Sequence, residues 1–318
     1  MSLKIVGTGK GIPARSVTNQ ELSDFLDTSD EWIVSRTGIK SRNICSHETL
    51  SDLSAAAARQ ALEKSHLLAN EIDLIICSTI EGDFRTPSLA CCLSHDLGTM
   101  CPAFDVNAGC TGFIYALEVA SSFLAAKKAN NILIVCAEMM STHMDWTDRN
   151  TCVLFGDGAA ACVVTNGNAL KYLDLSVTAN PAVLNIPSGT GNNPFVSKPR
   201  ENGFVNMRGQ DVFKFAVGAV ETGLKQALHA LNVSTEQIDL FLLHQANKRI
   251  VDSIRTKLQQ PEEKFPINIE RYGNLSSASI PLLLFELLEE NKIKSGDTLF
   301  MSAFGAGLTT GNCVMVWE

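Results

Sequence analysis

Long apolar runs are missing from this chain. Stretches such as residues 132–137 and 282–285 fall far short of the roughly 20 residues a helix needs to cross a bilayer, so neither a membrane span nor a membrane partner is expected. Positive charge is also short. Lys and Arg total 26 against 34 Asp and Glu, a net charge of −8, which gives no support for nucleic-acid binding. No C-x-x-C or H-x-x-x-H pair occurs, so no zinc pattern, and no metal site, is read from the sequence. No secretory leader is expected either, because the strand-like Lys4-Ile5-Val6 comes almost at once. The ten cysteines therefore read as reduced thiols in a cytoplasmic protein rather than as a disulfide framework. Cys77, Cys136 and Cys162, set in apolar strand-like runs, read as small core residues. In that setting the sequon Asn274-Leu275-Ser276 has no use.

What is present fits a globular chain with a sizeable core: 318 residues, 45% hydrophobic and 19% charged. The most informative stretch is Asp105-Val106-Asn107-Ala108-Gly109-Cys110-Thr111-Gly112-Phe113. An extended apolar segment ends there, and Phe113, Ile114, Leu117, Ala120 and Leu124 continue at helical spacing. A thiol at a helix N-terminus meets unpaired N–H groups and the positive dipole end, which favour its thiolate and can receive an oxyanion. Taken alone, such a cysteine is more often packing than chemistry.

Two further segments change that balance. An apolar strand, Leu240-Phe241-Leu242-Leu243, delivers His244 at its carboxyl end, where ligand sites of α/β sheets gather. A helix with Ile250, Ile254 and Leu258 on one stripe follows. Farther on, the turn Tyr272-Gly273-Asn274-Leu275-Ser276 runs into an apolar helix beginning near Ile280.

Together these segments closely resemble β-ketoacyl-acyl carrier protein synthase III, a condensing enzyme of the thiolase superfamily. The resemblance covers nearly the whole chain. It includes Gly7-Thr8-Gly9, the run from Thr28 to Ile39, Asp148-Arg149-Asn150-Thr151, Leu154-Phe155-Gly156-Asp157-Gly158 and Phe304-Gly305-Ala306-Gly307. It implies an α/β, thiolase-like fold of two pseudo-symmetric halves, with mixed sheets in five αβαβα layers. The sequence repeats weakly at an offset of about 165 residues, which favours duplication. Residues 72–75 answer 238–241, 132–135 answer 298–301, and Cys110 answers Asn274. The halves are expected at residues 1–168 and 169–318, with residues 181–199 as a long surface loop.

The resemblance implies an activity and assigns it to residues. Cys110, His244 and Asn274 are the catalytic set, and the N–H groups of Cys110 and Ala306 form the oxyanion hole. An acyl-CoA acylates Cys110, malonyl-acyl carrier protein loses carbon dioxide, and its enolate attacks the acyl-cysteine to begin type II fatty acid synthesis. Acyl-CoA and malonyl-acyl carrier protein are the partners, CoA thioester serves as substrate, no resident cofactor is needed, and a homodimer is expected. Thr28-x-x-Glu31 reads as a capping box that places Trp32 and Arg36 on one helix face. By resemblance, Trp32 and Arg149 hold the adenine, with Thr28, Arg36, Thr37, Gly209, Phe213 and Asn247 completing the CoA site. Gln245, Ala246, Asn247, Lys248 and Arg249 are the expected carrier-protein contacts. Lys248, Arg249, Arg255 and Lys257 form a basic patch, with Arg208 and Lys214 nearby.

Thr86 stands where acetyl-primed relatives often carry phenylalanine, at the floor of the primer pocket. A larger, branched or aromatic primer, or a related acyltransferase of secondary metabolism, is therefore an open alternative. Other readings fit less well. A degradative thiolase would use Cys313 as base, but the flanks do not match. Hydroxymethylglutaryl-CoA synthase would need a glutamate upstream of the nucleophile, for which Glu81 is the candidate, and Asn274 argues against it. A non-catalytic partner subunit would have lost the nucleophile.

Overall fold

A computed structural model describes residues 3–318. The first part of the chain forms β1 (Lys4–Gly11), β2 (Ser16–Thr18), α1 (Asn19–Ser23), α2 (Asp30–Thr37), β3 (Ser41–Asn43), α3 (Leu50–Ser65), β4 (Leu74–Ser78), α4 (Leu89–Leu97), β5 (Ala103–Val106), α5 (Gly112–Ala125), β6 (Asn131–Met139) and β7 (Asp157–Thr165). The remainder forms β8 (Leu170–Val177), β9 (Leu184–Asn185), β10 (Asn206–Met207), α6 (Gly209–Leu231), β11 (Leu240–Leu243), α7 (Lys248–Leu258), α8 (Ile269–Tyr272), α9 (Ser279–Glu289), β12 (Thr298–Gly305) and β13 (Thr309–Val316).

Two sheets dominate, in the orders β1-β7-β6-β4-β5 and β8-β13-β12-β11. Their pairings match step for step. β1/β7 and β7/β6 are antiparallel and β6/β4 is parallel, as β8/β13 and β13/β12 are antiparallel and β12/β11 is parallel. β5 adds a parallel edge strand to the first sheet alone. Strands such as β4 and β7 are buried nearly throughout, which is why they read as continuous apolar runs rather than alternating ones.

The burial has a simple cause. α5 and α9 lie between the sheets, and one core cluster joins their side chains to residues of β4, β6, β11, β12 and β13. α3 and α4 cover the outer face of the first sheet, and α6 and α7 that of the second. The result is the thiolase fold in five layers. The opening Gly7-Thr8-Gly9 has a packing role, since side chains on Gly7 and Gly9 would lie 2.2 and 2.1 Å from the Ala61 and Ala57 carbonyls of α3.

Two local expectations change. The N-cap of α2 is Ser29, whose side chain accepts from the Trp32 N–H at 3.1 Å, so Thr28 and Glu31 form no capping box. Adjacent hydroxyl residues make this one-position error easy. The surface loop after the first sheet is partly structured, because β9 pairs with β10.

Candidate active site

The sheets present their loops to a common cleft. β5 leads through Asn107 and Ala108 into a tight turn, Gly109–Thr111, and then into α5. Cys110 sits on that turn, half-buried in the wall of a cavity of about 440 Å³ that His244 and Asn274 also line. The three residues expected to share a site thus do so. Gly305 makes room for the nucleophile: a side chain there would lie 2.9 Å from the Cys110 nitrogen and 3.1 Å from its Cβ. Ala306 also lines the cavity, and its nitrogen approaches the Gly109 turn.

The thiol itself departs from expectation. Burial pushes Cys110 up to about 12, helped by the charge of Glu138, while hydrogen bonds from Ser276 and the Cys110 backbone pull it back only in part. At this buried turn the cost of desolvating a thiolate outweighs the help of the helix start.

His244 and Asn274 are set up as donors. Burial pulls His244 down to about 3, so its imidazole is neutral at neutral pH. Its ring packs edge-on against Phe304 at 5.2 Å, and its Nδ1 is sealed without a partner, leaving Nε2 as the nitrogen that reaches the cavity. Asn274 is pinned through its main chain. Its N–H donates to the Leu154 carbonyl at 2.9 Å, and its carbonyl accepts from the Gly156 N–H at 3.1 Å. Its Oδ1 accepts from the Ser276 N–H at 2.8 Å, which leaves the amide NH2 as the free donor.

A second cavity, of about 840 Å³, shares the wall formed by Leu154, Val205, Met207, Gly209, Phe213 and Asn247 with the first. Trp32, Arg36 and Thr37 line its outer part. Arg36 lies over the Trp32 ring at 4.5 Å, as their helical spacing predicts, and Arg149 lies over it at 5.0 Å. That second gap is too narrow for an interposed base, and Arg149 is meanwhile held by the Asp27 carbonyl and carboxylate. Asn247 caps α7 and donates to the Arg36 carbonyl at 3.0 Å, tying the two lining helices together. Among the described residues no cluster of His, Cys, Asp and Glu could hold a metal ion.

Comparison with known proteins agrees with this geometry. Residues 104–181 match the family description "3-Oxoacyl-[acyl-carrier-protein (ACP)] synthase III", and residues 228–317 match its C-terminal counterpart. The β-ketoacyl-[acyl-carrier-protein] synthase III of Natranaerobius thermophilus is 43% identical over 325 residues, covering 99% of each chain. The chain belongs to the β-ketoacyl-acyl carrier protein synthase III family. It is a condensing acyltransferase. The solved 3-oxoacyl-[acyl-carrier-protein] synthase III of Aquifex aeolicus superposes with a TM-score of 0.92 at 40% identity, covering 99% of this chain and 100% of that one. A priming β-ketosynthase of the R1128 polyketide pathway superposes with a TM-score of 0.91 at 32% identity, over 99% and 96% of the two chains.

Several expected members of the synthase site stand apart from it. Thr86 is exposed on the turn between β4 and α4 and lines neither cavity, so within one chain it sets no primer room. The apolar walls come instead from residues such as Ile80, Met140, Leu184, Val205 and Phe304. Thr28 lines neither cavity, and its hydroxyl is buried without a partner. The Thr37 hydroxyl is occupied, donating to the Ile33 carbonyl and accepting from the Ile39 N–H.

Gln245 is 1% exposed, with its amide bonded to the Leu243 carbonyl and the Asn268 N–H, so it offers nothing to a docking protein. Ala246 and Asn247 are half-buried and Arg249 is exposed. Lys248 is paired with Asp252 and Lys257 with Glu221, whereas Arg208, Lys214 and Arg249 have no carboxylate partner among the described residues. Glu81 is exposed beside Arg85 and His143, away from the thiol. The glutamate near the thiol is Glu138, which sequence reasoning missed because it lies inside an apolar strand with no motif around it.

Proposed function

We propose that the chain joins an acyl-CoA primer to malonyl-acyl carrier protein by decarboxylative condensation, with Cys110 carrying the acyl group between the two half-reactions. The observation that carries this reading is the single cavity that gathers Cys110, His244 and Asn274 and shares a wall with the Trp32 cavity. In the first half-reaction the Cys110 sulfur attacks the thioester carbonyl, and the N–H groups of Cys110 and Ala306 receive its oxygen. CoA leaves through the second cavity, where Arg36, Gly209, Phe213 and Asn247 line the way and Trp32 offers an aromatic face. Arg149 swings aside so that the adenine takes its place over Trp32.

In the second half-reaction the malonyl thioester carbonyl lies against His244 Nε2 and the Asn274 amide. Carbon dioxide departs, both donors stabilise the enolate oxygen, and the enolate carbon attacks the acyl-cysteine. Neutral N–H donors supply the stabilisation, so the reading calls for no metal or resident cofactor. Arg249, with Arg208 and Lys214, faces an acidic carrier protein at the cavity mouth.

Residues 1–168 and 169–318 form the two halves of a subunit that works as a cytoplasmic homodimer. No helix of the described residues is long and apolar enough to cross a membrane. Purified protein supplied with acyl-CoA and malonyl-acyl carrier protein should release carbon dioxide and form β-ketoacyl-acyl carrier protein, and Cys110→Ala should form none. Product formation by Cys110→Ala at the wild-type rate would reject the assignment.

A further inference from the structure

Behind Cys110 lies a carboxylate to which the two half-reactions give no task. Glu138, near the end of β6, is 1% exposed. Its Oε1 accepts from Ser277 Oγ at 2.7 Å and Ser276 Oγ at 3.1 Å, and its Oε2 accepts from the Ile80 N–H at 3.0 Å. No Lys, Arg or His pairs with it among the described residues. A buried carboxylate without a counter-ion is costly to keep, and such groups cluster at functional sites.

Ser276 stands between this carboxylate and the nucleophile. It lines the Cys110 cavity, and its hydroxyl pulls the Cys110 thiol down, as a donor near the sulfur does. Its backbone is held at φ 49, a conformation a serine rarely adopts, with its N–H tied to Asn274. Carboxylate and hydroxyl are thus hydrogen-bonded, and the residue bearing the hydroxyl shares a cavity wall with the thiol.

We propose that Glu138, acting through Ser276, takes the Cys110 proton during acylation. As Sγ attacks the thioester carbon, its proton passes to Ser276 Oγ, and the Ser276 proton passes to Glu138 Oε1. The new S–C bond forms, the bond from the carbonyl carbon to the CoA sulfur breaks, and Glu138 returns the proton by the same path to the departing CoA sulfur. The products are acyl-cysteine, free CoA thiol and ionised Glu138. In this scheme Ser276 exchanges the proton with the reacting sulfur and is a catalytic residue; Glu138 is a positioning residue that acts through it.

The electrostatics suit the task. With Cys110 pushed up to about 12, the thiol needs a proton acceptor, and burial lifts Glu138 to about 7, where a general base works best near neutral pH. His244, held near 3, is a poor rival. The ionisable groups that share a field with Glu138 are Cys110 and, on its own strand, Cys136. From the neighbouring strands, β4 brings Ser78 beside Cys136 and β7 brings Gly158 opposite Glu138. Asp157 on β7 pairs with Met139 and so points to the opposite face.

The relay rests on Cys110 as the acylated residue, and one experiment separates the two ideas. Acylation by a short acyl-CoA is followed by rapid quench and intact mass from about pH 5.5 to 9, a span that brackets a general base working near neutrality, and the adduct is mapped to a peptide. The wild-type rate should rise through about pH 7 and then level off. Glu138→Gln and Ser276→Ala should lower the plateau by roughly 100-fold and abolish that rise, while decarboxylation by pre-acylated protein falls far less. Ser277→Ala should keep the rise but move it to higher pH, because the ionised carboxylate loses a donor. Should Glu138→Gln fail to fold, Ser276→Ala carries the test alone. A wild-type pH profile in Ser276→Ala, or equal loss of both half-reactions, overturns the relay. An adduct on another cysteine overturns the Cys110 reading instead.

Discussion

Asn274 shows how little freedom a side chain needs to become specific. Its side-chain Oδ1 is already committed to the Ser276 N–H, so the amide can only donate toward the cavity. His244 arrives at the same role by another route, because burial keeps it neutral and hydrogen-bonding rather than charged. Both should matter for the enolate more than for the thiol. His244→Ala and Asn274→Ala are expected to acylate Cys110 normally yet release carbon dioxide from malonyl-acyl carrier protein about 100- to 1,000-fold more slowly. The pH dependence follows from the direction of the His244 shift. The donor form is the neutral one, and lowering the pKa to about 3 extends it far below the ordinary 6.5, so decarboxylation by pre-acylated protein should show no loss as pH falls through 6.5. A clear fall there, absent from His244→Ala, would mean the imidazole is ordinarily solvated.

Elements place these residues more than neighbouring side chains do. Cys110 and His244 follow β5 and β11, and the turn bearing Asn274 is held by the segment just before β7. That is why the first two were legible in the sequence: an apolar strand broken by a polar residue and resumed as a helix marks a strand end. The partners of α2 and of the cavity wall were less legible. Thr28 and Ser29 look alike as caps, and only backbone geometry chooses between them. Thr86 reads as a pocket residue by alignment of motifs, yet its turn points outward from its own chain. Glu138 carries no local signal, since its serine partners lie far along the sequence.

Glycines give a sharp test at this scale. Gly305→Ala would press a methyl against Cys110, and a shift of about 1 Å at the nucleophile should slow acylation on the order of 100-fold. Gly218→Ala, within α6 where an added Cβ meets nothing, should raise stability in denaturant melts by about 0.5–1 kcal/mol and leave activity intact. An inactive Gly218→Ala beside a fully active Gly305→Ala would refute the packing argument.

On the scale of the whole molecule, the two sheets repeat one strand order, and one cavity gathers Cys110, after β5 of the first sheet, with His244, after β11 of the second, and Asn274. The weak internal repeat falls on strands that hold matching places in the two sheets, β4 with β11 and β6 with β12. The chain is acidic overall, with a net charge of −8, so Arg249 and Lys214 on the second cavity's wall and Arg208 beside it, without a carboxylate partner among the described residues, stand out as a local exception. Arg249→Glu should weaken use of malonyl-acyl carrier protein and flatten its salt dependence, with acyl-CoA loading little changed. Equal loss in both half-reactions would assign Arg249 to the CoA site.

The proposed condensation depends on one covalent intermediate. Intact mass spectrometry after exposure to a panel of acyl-CoAs, followed by peptide mapping, tests it most directly. The account predicts a single added acyl group on the peptide containing Cys110, no adduct in Cys110→Ala, and an acyl mass that identifies the primer. An adduct on a different cysteine of the wild-type protein, or one that persists in Cys110→Ala, would contradict it.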